Sequence, residues 1–241
     1  MTFKAFTIAR MVSFGFPWLM LLVIPFATMR NVAPVHFVAA DDGRDDVYVP
    51  RRSGRIANGA AVYGANGCYI CHTQLIRPSF AGSELGRPGW AGFQETDEAG
   101  IPVDTRRETT AFDYVGESFA QIGLMRNGPD LSNVGNRIER YVKEDDADAD
   151  TPENWLFLHL YDARKKVKTY WSTCPSQAHL FKTVKVYGQG SADAVPGLGK
   201  DGEEVLPTGK VRALTSYLLS MKKDDAVPYS INYSRDKKKA E

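Results

Sequence analysis

Cys68 and Cys71, separated by two residues, are followed at once by His72 in the stretch GCYICHTQLIRP. This C-x-x-C-H spacing is that of covalent haem c attachment: two thiols add across the vinyl groups of a porphyrin, and the adjacent imidazole reaches the iron from below. Other uses of these residues fit less well. A zinc site needs four ligands, commonly as two such half-sites, and the rest of the chain offers only Cys174 and the scattered His36, His159 and His179. A thioredoxin-like pair follows a strand in a βαβ pattern, whereas Cys68 follows a helix-like run rich in Ala and Gly. Neither alternative requires the histidine. One motif and no internal repeat imply one covalently bound haem c in one haem domain.

The elements that hold this site begin with an uncharged segment, Met11 to Met29, MVSFGFPWLMLLVIPFATM, bounded by Arg10 and Arg30. At about 1.5 Å per residue it just crosses a hydrocarbon core about 30 Å thick, which predicts one transmembrane helix in the lipid bilayer. Pro17 and Pro25 interrupt its hydrogen bonding. In lipid they are tolerated where neighbouring helices or a local rearrangement satisfy the freed carbonyls, so the helix is expected to pack against other membrane helices. A cleaved signal peptide is the competing reading. Its apolar core normally runs about 7–15 residues, and the small residues Val38-Ala39-Ala40 lie far beyond this one. Lys4 and Arg10 before the segment, against Arg30, Asp41 and Asp42 after it, give a weak positive-inside bias. Thioether bonds to haem are made on the outer side of the bacterial inner membrane, so everything after residue 30 is expected in the periplasm.

With 30 Lys and Arg against 29 Asp and Glu, net charge names no nucleic-acid partner. The expected organisation is a cytoplasmic N-terminus (1–10), the anchor (11–29), a linker (30–50), a cytochrome c domain (51–222) and a charged tail (223–241). A helix is predicted from near Ser53 to about Tyr63, with Ile56, Gly59, Ala60 and Tyr63 on one face, and a turn at Gly64 and Gly67 delivers Cys68. Residues 78–112 and 187–207 read as irregular loops, and residues 113–125 as a weak helix ended at Asn127, Gly128 and Pro129. The acidic run KEDDADAD at 143–150 reads as a solvated loop, with a docking patch for a basic partner as the sharper alternative. Thr151 then caps a helix with Pro152 in its first position and an apolar stripe of Trp155, Leu156, His159 and Leu160, on which His159 reads as a core or rim residue. The last helix, from near Thr208 to about Lys222, carries Val211, Leu214, Leu218 and Met221 and needs the Gly59–Tyr63 helix to bury them. The fold expected is all-α: a single N-terminal transmembrane helix plus a periplasmic cytochrome c domain with long irregular loops.

GCYICHTQLIRP, the downstream RNGPDLSNVG and the closing LPTGKVRALTSYLLSMK, behind one anchor helix, resemble the mono-haem cytochrome c subunit (subunit II) of cbb3-type haem-copper oxidases. The resemblance covers most of residues 11–222. It implies a relay that passes electrons from a donor cytochrome c toward the haem b and copper centre of a large membrane subunit, with no catalysis by this chain itself. By the same resemblance Cys68 and Cys71 are thioether anchors and His72 is the proximal ligand. The Pro129 carbonyl would accept the His72 ring N–H, fixing its tautomer. Arg77 and Arg126 become candidates to face haem propionates or the large subunit, against the plainer reading of surface arginines.

The chain departs from that family where members present a distal Met in a Ser-x-Met-Pro context. Here the stretch reads Ser172, Thr173, Cys174, Pro175 and ends in His179, Leu180, Phe181. Cys174 is therefore the leading candidate for the sixth iron ligand, with His179 and Met125 behind it; an open site or a plain buried Cys174 thiol stays possible. A thiolate favours ferric iron and lowers the reduction potential. Three functions follow: the oxidase relay; a free tethered carrier or the small haem c subunit of a nitric oxide reductase; and a haem-based sensor if the distal site is open.

Overall fold

The computed structural model describes residues 2–29, 36–38, 45–47, 54–96, 99–115, 117–144, 149–166, 169–223 and 227. Most of the expected linker, the helix start at Ser53, the centre of the acidic run at 145–148 and nearly all of the charged tail lie outside these residues. The chain divides into two units, residues 1–48 and 49–241.

In the first unit α1 (Phe3–Trp18) starts at Thr2, whose hydroxyl accepts the Ala5 N–H at 3.4 Å. It runs through a five-residue π turn, Leu19–Val23, into α2 (Ile24–Met29). The wide turn sits between the two prolines, and the Ile24 N–H reaches five residues back to the Leu19 carbonyl. This local widening lets Pro25, which has no N–H and crowds the carbonyl four residues before it, stay within a helix. Phe3–Ala27 spans 25 residues with a hydropathy of 1.7 and an apolar stretch wholly exposed, so it is long and apolar enough to cross a membrane. A hairpin follows, with β1 (His36–Val38) antiparallel to β2 (Asp45–Val47).

The second unit contains α3 (Gly54–Ala65), the single turn α4 (Cys68–Cys71), β3 (Gln94–Thr96), β4 (Pro102–Asp104), α5 (Val134–Lys143), α6 (Pro152–Asp162), β5 (Phe181–Lys185), β6 (Glu203–Pro207) and α7 (Gly209–Leu219). Its core is built where α3 crosses α7. A side chain at Gly59 would put its Cβ 2.6 Å from the Tyr217 Cβ and onto the Ala213 carbonyl, so the missing side chain sets how closely the helices approach. Beside this point the Tyr63 and Tyr217 rings lie 5.7 Å apart at 59°, and Val211, Leu214 and Leu218 are buried. Thr208 precedes α7 in extended conformation, but its hydroxyl donates to the Leu180 carbonyl at 2.5 Å instead of capping the helix. Thr151 does cap α6, accepting the Asn154 N–H at 3.2 Å, with Pro152 in the first turn. Phe157 and Leu158 are buried along with Trp155, Leu156 and Leu160, so α6 is enclosed on more sides than a single stripe implies.

Two expectations are corrected. The chain is mostly helical in its regular structure but not all-α: three antiparallel hairpins stand among the described residues. One of them, β3–β4, lies in the presumed loop 78–112, and β6 closes the presumed loop 187–207. There Phe181 is buried at the start of FKTVK and Val205 and Pro207, two residues apart on one face, are buried in EEVLP, while the lysines are exposed. Second, the described residues of 113–125 form no helix beyond a 3-10 turn at Ala111–Tyr114. Their backbone bonds go elsewhere: Leu124 and Met125 N–H to the Tyr69 and Ile70 carbonyls at 2.9 and 3.2 Å, and the Ile122 carbonyl to the Gln74 N–H at 2.9 Å. The stretch after Pro129, for which the sequence suggested no element, holds α5, whose Val134 and Ile138 are buried four residues apart among polar neighbours.

Candidate functional site

Gly67, at φ +67°, turns the chain out of α3, and one helical turn then places Cys68 and Cys71 three residues apart on the same face. The turn ends as the His72 N–H bonds to the Cys68 carbonyl at 3.0 Å and His72 becomes extended. The His72 Nδ1 stands 2.8 Å from the Pro129 carbonyl. A carbonyl only accepts, so Nδ1 carries the proton, and Nε2 is left with a free lone pair. Gly128 makes room for the ring: a Cβ there would lie 2.6 Å from Nδ1.

Asp130, fully buried, fastens the strand after His72 to the GPDL stretch. Its carboxylate accepts from the Thr73 hydroxyl at 2.6 Å, the Leu75 N–H at 2.9 Å and the Ser132 N–H at 2.8 Å. Backbone bonds from Gly128 to Cys71 and from Leu131 to Thr73, at 2.9 and 2.8 Å, continue the clamp. Arg77 and Arg126 converge on Glu84, whose side chain is buried: Arg77 reaches it at 2.6 Å, and Arg126 pairs with the same oxygen. Arg126 also donates to the Thr73 hydroxyl at 2.9 Å and the Leu75 carbonyl at 2.8 Å. Arg126 thus braces the backbone beyond His72 while Arg77 shares the Glu84 carboxylate, which sequence reasoning did not foresee. Glu84 and Asp130 were missed because their partners are distant in sequence; the GPDL motif was the one available signal for Asp130.

Burial pushes the Cys68 thiol up to about 11, helped by the nearby Cys174 and Cys71. Cys174 is raised too, by burial first and then by Cys71, while Arg164 pulls it down. The structure therefore brings Cys174, about a hundred residues on, within electrostatic reach of both thiols of the motif. Burial also lowers His72, against the hydrogen bond to Pro129. His179 instead bonds through Nε2 to the Asn66 Oδ1 at 2.9 Å and is exposed. Met125 is 46% exposed and held through its backbone beside Ile70. His159 stacks on Trp155 at 5.1 Å, with burial, Lys166 and His72 pushing it down to about 4, so its ring is neutral.

The donor set and its surroundings fit a haem. Among the described residues no group of three or more His, Cys, Asp and Glu side chains is placed to hold a metal ion. One imidazole suits an iron that arrives with four ring nitrogens of its own, and the two thiols suit attachment to the ring's edge rather than to the metal. Ile70, Leu124 and Met125, apolar and 41, 72 and 46% exposed around the motif, are surface that a porphyrin would cover. The buried His159 Nδ1 has no hydrogen-bond partner among the described residues, the kind of atom a propionate or a buried water satisfies. No protein-family model matches the chain, and no curated protein sequence matches it.

Proposed function

We propose that this chain is a membrane-anchored mono-haem c-type cytochrome relaying electrons as subunit II of a cbb3-type terminal oxidase, with its haem domain in the periplasm of a bacterial inner membrane. The observation that carries the reading is the C-x-x-C-H turn with the His72 Nδ1–H held by the Pro129 carbonyl, which leaves Nε2 free for iron. Cys68 and Cys71 would hold the porphyrin as thioethers. Haem supplies a one-electron ferric/ferrous couple when bound. His72 keeps one tautomer through the exchange because Pro129 fixes its proton. Asp130, Thr73 and Arg126 hold the backbone on either side of that imidazole, so little rearrangement accompanies a change of charge. Cys174, a half-buried thiol, is the proposed sixth ligand and would lose its proton on binding iron. The exposed apolar helix Phe3–Ala27 supports the anchor and contact with a large haem-copper subunit. A donor cytochrome c completes the relay, and the chain alone catalyses nothing.

The test is to solubilise the native membrane gently, isolate what stays bound to this chain, and assay haem c, haem b, copper and non-haem iron together. Haem b with copper supports the oxidase relay. Haem b with non-haem iron points to nitric oxide reduction, haem c alone to a tethered carrier or sensor, and no covalent haem removes the reading altogether.

A further inference from the structure

After α6 the described residues 163–166 and 169–172 are tied together by local hydrogen bonds. The Thr169 hydroxyl donates to the Ala163 carbonyl at 2.6 Å, the Thr169 N–H to the Lys166 carbonyl at 3.1 Å, and the Ser172 N–H to the Thr169 carbonyl at 2.9 Å. These bonds draw the 3-10 turn Ala163–Lys165 and the pair Tyr170–Trp171 onto one surface. The two rings are 71 and 70% exposed, a pair of adjacent large aromatics left in water. Arg164 and Lys165 are exposed beside them, while Lys166 lies buried underneath with its Nζ 3.7 Å from the Trp155 ring. Asp162, 3.2 Å from Arg164, offsets one charge and leaves the turn cationic. The Cys174 N–H bonds to the Ser172 Oγ at 3.2 Å, and Ser172 directly follows Trp171, so this surface adjoins the turn that carries Cys174.

We propose that Tyr170, Trp171, Arg164 and Lys165 form the docking surface for a redox protein with an acidic face, which exchanges one electron with the group held at Cys68, Cys71 and His72. The proposal rests on the haem reading above. Aromatic and arginine side chains are the residues that anchor transient protein contacts, and a cationic rim steers an acidic partner. An anionic membrane surface shares that charge, but the position beside Cys174 favours a partner that needs a short path to the iron. In the exchange the partner's reduced centre loses one electron and ferric iron becomes ferrous; no bond forms or breaks.

The experiment uses the full chain with its haem, in nanodiscs of neutral phosphatidylcholine, and a small acidic blue-copper protein as probe. The haem spectrum is read first: a wild-type chain without covalent haem defeats the functional reading, and this surface with it. With haem present, the second-order rate of electron exchange at low salt is expected to fall about 3–10-fold in R164E/K165E. It should fall comparably in Trp171→Ser. The charge-reversal effect should vanish above roughly 0.5 M salt. Equal rates in wild type and both variants, with unchanged haem spectra, overturn the proposal. So does quenching of Trp171 emission by brominated lipids in anionic vesicles, which assigns the turn to the membrane surface.

Discussion

At Cys174 a single side chain sets the redox character of the proposed site. Anionic sulfur stabilises ferric iron, so Cys174→Met should raise the midpoint potential by on the order of 0.3 V, well inside the ~0.8 V range that axial ligands command. A redox titration with optical detection reads this, and the low-spin spectrum should change with it; no movement in either removes Cys174 from the iron. Gly128 tests the other side. In Gly128→Ala the new methyl overlaps the His72 ring, so the imidazole must leave the Pro129 carbonyl. The expected result is covalent haem that has lost its normal low-spin band. An unchanged spectrum would show that the ring has room the geometry denies it.

For the elements, the decisive contact is α3 on α7. Gly59→Ala forces a methyl into the Ala213 carbonyl and the Tyr217 side chain, neither of which can swing aside, and should cost about 2–3 kcal/mol. Urea unfolding in detergent should show a lower midpoint with an unchanged slope. The pairing of these two helices was readable in advance, because a terminal amphipathic helix has to bury its stripe and the Gly59 face was free to receive it. The segment 113–125 was misread for the opposite reason. Its own periodicity suggests a helix, but Tyr69, Ile70 and Gln74 offer backbone partners that a single-segment view does not contain. The strand pair β5–β6 escaped notice because FKTVK has no regular alternation of its own and its partner strand follows a long Gly- and Pro-rich stretch.

Across the whole second unit, the end of the chain's described part is tied to the loops by a buried charge cluster. Arg107 and Lys223 both reach Asp113, at 2.8 and 3.0 Å, and Lys223 also donates to the Thr109 hydroxyl at 3.1 Å. Burial pushes Lys223 down to about 8, with Arg107 adding to the shift and Asp113 opposing it. For Asp113, burial raises the carboxyl, but Arg107 and Lys223 together hold it below its usual range. The signs differ. Between about pH 8 and 10.4 the unfolded chain binds the Lys223 proton and the folded chain does not, so this lysine's contribution to stability rises with pH across that window. Asp113 contributes above its unfolded value near 3.9 and loses that contribution as pH falls through the folded value. Lys223→Met should therefore flatten the stability profile between pH 8 and 10, measured by urea unfolding at several pH values. A wild-type and a variant profile that run parallel would show that Lys223 keeps an ordinary pKa.

What the sequence determined by itself is local. The C-x-x-C-H spacing becomes one helical turn because residues three apart share a face, an uncharged apolar run becomes a membrane-length helix, and Thr151 with Pro152 starts α6 because a hydroxyl cap and a fixed φ act within one turn. The resemblance alone pointed to the Pro129 carbonyl. Tertiary structure decided the rest: Asp130 clamping the strand after His72, Arg77 and Arg126 turning to Glu84, and Cys174 arriving beside Cys68 and Cys71. Arg77 and Glu84 are seven residues apart, but the Asp130 and Arg126 contacts span tens of residues, and which partner wins is settled only when the helices pack and burial makes an unpaired polar group costly.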